Sequence, residues 1–517
     1  MRFSPPTKSS PHCLPSPDGT LVATLFPGVV NVRQVESLQI INVIKLPQDM
    51  TGPILGFRWS PTSQRILVAV EDQIHVFSAL QDNPFHADIR NPTPPGARPA
   101  FVDFDPSGSR VFICSSFGLK FSVFDLQTLK ASEISNPKFF SGATASRGFS
   151  VRRGTRHLAL LTRSAGKDMV SIHSSSTLDV LRSWSPDTID AQGLVWSPDG
   201  QWLVVWESAG QGHKVLFYTP DGHVFRTWMG PQGPDAEDRR LGAGVKAVQF
   251  SPDAKLLAAG DSTWCICIIN MESVSEGMRL QHPAIVEPRD TLQVWQEQGT
   301  STMTGHSVFE FVKATQALAP PGRAPGEKSE SKTGISRIVF DSTSALVATK
   351  LEDFPTTIWI WDVQSSELRS VLMFHAPIVD FSWHPKVRET LLVQCDGEQN
   401  GHMSFVWDPL SEGPRSISFR HHRSEASRPS KVRSSWLNVE TTDCPTVFFT
   451  DGIEYMFACM ADSDQDMPPW QVPSNADWPS AERRAESPLE LVPAGEIDAD
   501  ESEDDELDDT FHFKREV

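Results

Sequence analysis

Cysteine is scarce. Seven residues, an odd number, are scattered through 517, so they spell out no disulfide framework and a reduced state is expected. Zinc-ligand spacing is missing too. Cys265 and Cys267 share one face of a strand, but no second Cys pair or His pair stands nearby, so they are assigned to packing and neither metal nor cofactor is expected. No run of about 18 apolar residues occurs, and Met1 to Pro17 shows no basic start leading into an apolar stretch. A cytoplasmic or nuclear protein without membrane contact is the expectation. The chain also lacks a phosphate-cradling glycine loop and a nucleophile elbow, so no catalytic residue is assigned and a non-enzymatic role is expected.

Positive charge is in short supply as well: 46 Lys and Arg face 65 Asp and Glu, a net charge of −19. The deficit is concentrated beyond residue 460, where 18 acids meet 4 bases; the rest of the chain, with 47 acids and 42 bases, is nearly balanced. A body so close to neutral is a poor nonspecific ligand for nucleic acid, whose backbone rewards accumulated positive charge. The polar, Pro-rich stretch 461–517, dense in acids from Asp498 to Asp509, reads as a disordered acidic tail, with Ser487-Pro488 as a candidate phosphorylation site.

What the chain has in abundance is turns and large aromatics: 40 Pro, 32 Gly, 15 Trp and 30 Phe, the aromatics set in short Val/Ile/Leu runs that suit strands. A motif recurs, an apolar or aromatic residue followed by Ser-Pro-Asp-Gly or a worn version of it. It appears at Ser16-Pro17-Asp18-Gly19, Trp59-Ser60-Pro61, Phe104-Asp105-Pro106-Ser107-Gly108 and, weakly, Phe149-Ser150. It continues at Trp196-Ser197-Pro198-Asp199-Gly200, Phe250-Ser251-Pro252-Asp253, Phe340-Asp341-Ser342 and Trp383-His384-Pro385, with Trp436 as a degraded last copy. The steps from Pro17 to Pro61 to Pro106 are 44 and 45 residues, whereas Pro252 to Ser342 spans 90, two periods or one period with an insertion.

An alternating strand precedes each motif and an apolar strand follows it; Pro fixes φ and Gly accepts φ > 0 in the turn between them. A third strand then closes on an aromatic and an acid, as in Ile358 to Trp361-Asp362, Phe405 to Trp407-Asp408 and Ser122 to Asp125. With a polar fourth strand this is one propeller blade. The expected architecture is an all-β WD-repeat β-propeller over residues 1–460, one ring of eight or nine blades, with seven blades plus a partial second array as the alternative. The last unit shows three strands, and Met1 to Lys8 is placed to supply the missing outer one and close the ring.

An insertion is expected at about 285–333 and a basic loop at about 411–433. The loop's Arg420, His421, His422, Arg423, Arg428, Lys431 and Arg433 are candidates for docking a partner. Trp361, Asp362, His375, Asp396, Trp407 and Asp408 are expected to stabilise blades, with His375, Asp396 and Trp407 in one hydrogen-bonded set, although no hydroxyl residue stands at its place in the second strand. No nucleophile accompanies His375 and Asp396, which excludes a catalytic pair.

The order of the blades is itself informative. Phe3-Ser4 before the first motif, Gly193 to Gly200 followed by Trp206, Tyr218 to Gly222, and Val245 to Val248 leading into Phe250 form the first half of a pattern. His282-Pro283-Ala284 before the insertion, Gly334 to Asp341, Ile358 to Asp362 and Ala376 to Val379 form the second. The chain resembles the WD-repeat protein family of centrosomes and spindle pole bodies that partners a microtubule-anchoring coiled-coil protein. The resemblance implies a scaffold at the microtubule-organising centre that anchors microtubule minus ends and organises the spindle. It implies as partners the coiled-coil protein, a minus-end-directed kinesin and γ-tubulin-associated components, with the ring a monomer inside a hetero-complex. The basic loop and the acidic tail depart from that family. A translation-initiation or RNA-associated propeller is the alternative reading, since such rings also carry Ser-Pro-Asp-Gly blades.

Overall fold

A single polar exchange builds the repeated turn. The Ser16 hydroxyl donates to Asp18 Oδ1 at 2.5 Å and accepts the Leu21 N–H at 2.9 Å, while Gly19 takes φ +73°. Where the acid comes first, the roles reverse: Ser107 donates to Asp105 (2.5 Å), which accepts the Arg110 N–H (3.0 Å). Thr343, Asp341 and Leu346 repeat that arrangement at 2.5 and 2.9 Å. Ser-x-Asp and Asp-x-Ser are therefore one turn with donor and acceptor exchanged, so worn copies of the motif fold like complete ones.

The computed structural model describes residues 1–470 except 51, 83, 93–97, 116–117, 139–147, 232–242, 302–306, 324–332, 397–402, 420–431, 439–443 and 461–467. The strands of the described residues form nine sheets that follow the chain, antiparallel but for one pair. Blade 1 runs from Cys13–Pro15 to Ile40–Lys45, blade 2 from Gly56–Trp59 to His86–Arg90, and blade 3 from Phe101–Phe104 to Ala131–Ser135. Blade 4 runs from Phe149–Val151 to Val180–Trp184, blade 5 from Ala191–Trp196 to Val224–Trp228, and blade 6 from Val245–Phe250 to Ser275–Gln281. Blade 7 runs from Ile335–Phe340 to Glu367–Met373 and blade 8 from Ile378–Trp383 to Arg415–Ser418; blade 9 holds Arg433–Leu437, Thr446–Thr450 and Glu454–Cys459.

Buried apolar residues group into nine clusters, and each joins one blade to the next. Nine blades with nine shared cores require a closed ring, because an open array would have one fewer. The closing core packs Cys13, Val22 and Val35 of the first blade against Leu437, Phe448, Tyr455, Phe457 and Cys459 of the last. Motif tryptophans add polar ties between blades: Trp59 Nε1 donates to the Leu14 carbonyl (3.0 Å), Trp383 to Val339 (2.9 Å) and Trp436 to Ser382 (3.0 Å).

The N-terminus supplies the outer strand of the ninth blade, as its sequence suggests. Arg2–Phe3 and Thr7–Lys8 both pair with Glu454–Cys459, interrupted by Pro5 and Pro6, which have no N–H for the ladder. Ser4 bridges the break, donating its N–H to the Phe457 carbonyl at 3.0 Å and accepting the Phe457 N–H on its hydroxyl at 2.9 Å.

The double-length interval does not hold a blade of its own. Gln293–Ser301 and Ser307–Lys313 form a hairpin whose first strand lies parallel to Glu367–Met373, making the seventh blade six-stranded. Phe311 fixes the hairpin, its ring 5.4 Å from Phe374 and 5.7 Å from Phe405. One departure from expectation is Trp470. The tail is read from sequence as unstructured from residue 461, yet Trp470 is only 2% exposed, stacked 5.6 Å from Phe457 in the closing core. Residues 472–517 form a separate unit outside the described residues.

Candidate functional site

A buried polar relay ties the end of blade 6 to blade 7. His282 Nδ1 lies 2.7 Å from the Trp264 carbonyl, which can only accept, so that nitrogen carries the proton. Its Nε2 then accepts the Thr349 hydroxyl at 2.7 Å, and Thr349 Oγ1 accepts the Trp361 indole N–H at 3.3 Å. Burial holds the His282 pKa down at about 4, so the ring is neutral at pH 7. Asp353 extends the relay, accepting the Trp264 indole N–H (2.8 Å) and the Gly334 N–H (2.7 Å). Trp361 thus belongs to this set, together with His282, Thr349 and Asp353, which motif spacing does not single out.

The corresponding set expected around Trp407 is not made. In blade 7 Thr349 pairs across the sheet with Trp359; in blade 8 the position opposite Phe405 is Val393, which has no hydroxyl. The Trp407 indole N–H therefore has no acceptor among the described residues, although the side chain is 1% exposed. His375 is exposed, and its backbone N–H donates to Glu297 Oε2 of the inserted hairpin at 2.7 Å; the Asp396 N–H goes to the Pro377 carbonyl at 2.7 Å. Asp362 and Asp408 cap the turn after the third strand. Asp362 Oδ1 accepts the N–H groups of Gln364 and Ser365 (2.9 and 3.0 Å), and Asp408 Oδ1 accepts that of Leu410 (3.0 Å).

Of the basic docking set, Arg420, His421, His422, Arg423, Arg428 and Lys431 lie outside the described residues, as does Ser487. Arg433 is not in a loop: it opens the inner strand of the ninth blade, and its guanidinium donates to the Pro11 carbonyl ahead of the first blade. It lines a cavity of about 160 Å³ with His12, Phe57 and Arg58. A larger cavity, about 300 Å³, opens between the inserted hairpin and blades 7 and 8, lined by Asp290, Gln293, Asp362, Glu367, Arg369 and Trp407 among others. Among the described residues no cluster of three or more His, Cys, Asp or Glu side chains is arranged to hold a metal ion, and no helix is long and apolar enough to cross a membrane. Cys13, Cys114, Cys265, Cys267 and Cys395 are free and buried, Cys444 Sγ lies 2.8 Å from Cys459 Sγ, and burial pushes the Cys114 thiol up to about 12.

No protein-family model matches the chain. The mouse "WD repeat-containing protein WRAP73" is 26% identical over 434 residues, covering 79% of this chain and 87% of the mouse protein. An uncharacterized WD repeat-containing protein of Schizosaccharomyces pombe is 25% identical over 404 residues, covering 76% of this chain and 77% of the yeast one. A solved structure described as "Crystal structure of the eukaryotic initiation factor" aligns with a TM-score of 0.49 at 12% identity, over 81% of this chain and 90% of that one. That likeness carries no functional argument. The two relatives agree with the resemblance found in the sequence. Its nine blades and Trp-Asp strand endings make the fold a WD-repeat β-propeller, and the chain is similar to two WD-repeat proteins.

Proposed function

We propose that this propeller is a non-enzymatic protein-binding scaffold of the centrosome or spindle pole body, acting in microtubule minus-end anchoring and spindle organisation. The observation that carries the reading is the match to the mouse WD-repeat protein over 79% of the chain, joined to the blade order and interrupted interval through which the sequence resembles the centrosomal family. A closed ring suits the role: loops from every blade converge on two faces, and several partners can be held without chemistry. The partners are a microtubule-anchoring coiled-coil protein and, with it, a minus-end-directed kinesin and γ-tubulin-associated components.

The test is affinity purification of the tagged full chain from its own cells at endogenous level. Recovery of a coiled-coil anchoring protein with centrosomal components supports the proposal. Recovery of ribosomal subunits and initiation factors in their place overturns it in favour of a translation-associated scaffold.

A further inference from the structure

The hairpin that closes the ring carries two thiols side by side. Cys444 stands just before the second strand of blade 9, Thr446–Thr450, and Cys459 ends the strand after it, Glu454–Cys459. Thr446 is the cross-strand partner of Cys459, and the Met460 N–H donates to the Pro445 carbonyl at 2.9 Å, so the backbone next to each thiol is fastened to the other strand. The two Sγ atoms are held 2.8 Å apart. On its other side Cys459 pairs with Arg2 of the N-terminal strand, so the thiols sit where the two ends of the ring meet.

The two sulfurs differ in access. Cys459 is 0% exposed inside the closing core, whereas Cys444 is half-buried and packs against that core. A reagent arriving from solvent meets Cys444 first and finds Cys459 directly behind it. The remaining cysteines lack this arrangement. Cys13, Cys114, Cys265, Cys267 and Cys395 are all buried, and even the Cys265 and Cys267 pair has no exposed member. Buried thiols of that kind are inert, because reaction begins at a sulfur that can ionise in contact with water.

We propose that Cys444 and Cys459 are an oxidation site, which a low-molecular-weight disulfide of the glutathione class converts into an intrachain disulfide. The Cys444 thiolate attacks one sulfur of the oxidant, forming a mixed disulfide and expelling one small thiol. The Cys459 sulfur then attacks the Cys444 sulfur, and the second small thiol leaves. The chain gives up two electrons and two protons, and the oxidant's disulfide takes them up as two thiols. The new bond closes residues 444–459 into a loop across the hairpin whose second strand holds both Arg2–Phe3 and Thr7–Lys8. A cross-link restricts the opened hairpin more than the closed one. Oxidation therefore braces the strand on which ring closure depends, and reduction releases it.

The experiment uses the full chain, purified reduced, incubated with oxidised glutathione, alkylated without unfolding and mapped by peptide mass. A peptide containing Cys444 joined to one containing Cys459, two hydrogens lighter than the dithiol and restored by dithiothreitol, is expected. Cys459→Ala should trap the first step, leaving glutathione on Cys444. Cys444→Ser changes only the half-buried sulfur and should leave Cys459 reduced, which provides the control even where the core replacement unfolds the blade. Amide exchange over residues 454–459 should slow about tenfold in the oxidised chain and not in oxidant-treated Cys444→Ser. Cys444 alkylated equally before and after oxidation, a lasting glutathione adduct on the natural chain, or a bond between other cysteines overturns the site. Equal exchange in the oxidised and reduced chains overturns the bracing role.

Discussion

Blades 7 and 8 end their third strands alike, in Trp361-Asp362 and Trp407-Asp408, yet only Trp361 has its indole N–H satisfied. The two aspartates behave the same, each capping the next turn. The difference lies on the neighbouring strand, Thr349 against Val393, one hydroxyl against one methyl. The Trp-Asp ending thus reports a capped turn and a core indole, whereas the relay depends on a residue the ending does not contain. In blade 8 the N–H is left without an acceptor among the described residues, inside the core between blades 7 and 8.

The comparison can be broken most severely at His282. Replacement by Ala leaves the Thr349 hydroxyl only the longer bond to the Trp359 carbonyl, 3.4 Å, and opens a cavity beside Trp359 and Trp361, at a cost of about 3 kcal/mol; denaturant unfolding should show this as a lowered midpoint. Acid should act on the same relay. His282 and His384 each have folded pKa values near 4 against an ordinary 6.5, chiefly through burial, with the Lys386 charge adding to the effect at His384. The unfolded chain therefore binds more protons between those limits. Stability is full above about 6.5, falls as pH drops, and levels off below about 4. His384 Nδ1 accepts the Lys386 and Val387 N–H groups at 3.1 and 2.8 Å, filling the turn role that Ser has elsewhere. His384→Ser should keep the turn and remove part of the acid sensitivity, read as a shallower fall of melting temperature with pH.

Smaller effects sharpen the contrast. Thr349→Val makes blade 7 resemble blade 8 and costs about 2 kcal/mol, the penalty for two buried groups left unpaired. The reverse change, Val393→Thr, offers Trp407 an acceptor and gains up to about 1 kcal/mol. In a Trp407→Phe background the same threonine should destabilise, because its hydroxyl is then buried without a partner; a double-mutant cycle on unfolding midpoints checks the pair.

Much of the ring is legible in the sequence because each blade carries its turn chemistry locally. Ser16 with Asp18, and Asp105 with Ser107, need no distant partner to be recognised. The blade count is ambiguous where that chemistry fades, as at Arg152-Arg153-Gly154, where a basic turn replaces Ser-Pro-Asp-Gly although Gly154 keeps φ +83°. The relay is missed for a different reason. His282 and Thr349 are 67 residues apart, with the inserted hairpin between them, so the local spacing that suggests His375 for Trp407 does not find this pair. Trp470 is hidden by its Pro-rich, acidic surroundings; only the apolar gap between the first and last blades draws it in. The cavity wall combines the insertion, blade 7 and blade 8, three stretches that no period connects.

The most direct test of the account is to image the tagged chain at endogenous level against γ-tubulin, before and after microtubule depolymerisation. Foci that coincide with γ-tubulin and persist without microtubules are predicted for a resident scaffold of the organising centre. A diffuse cytoplasmic signal, with no enrichment at γ-tubulin foci at any stage of division, would contradict that placement while leaving the nine-bladed ring intact.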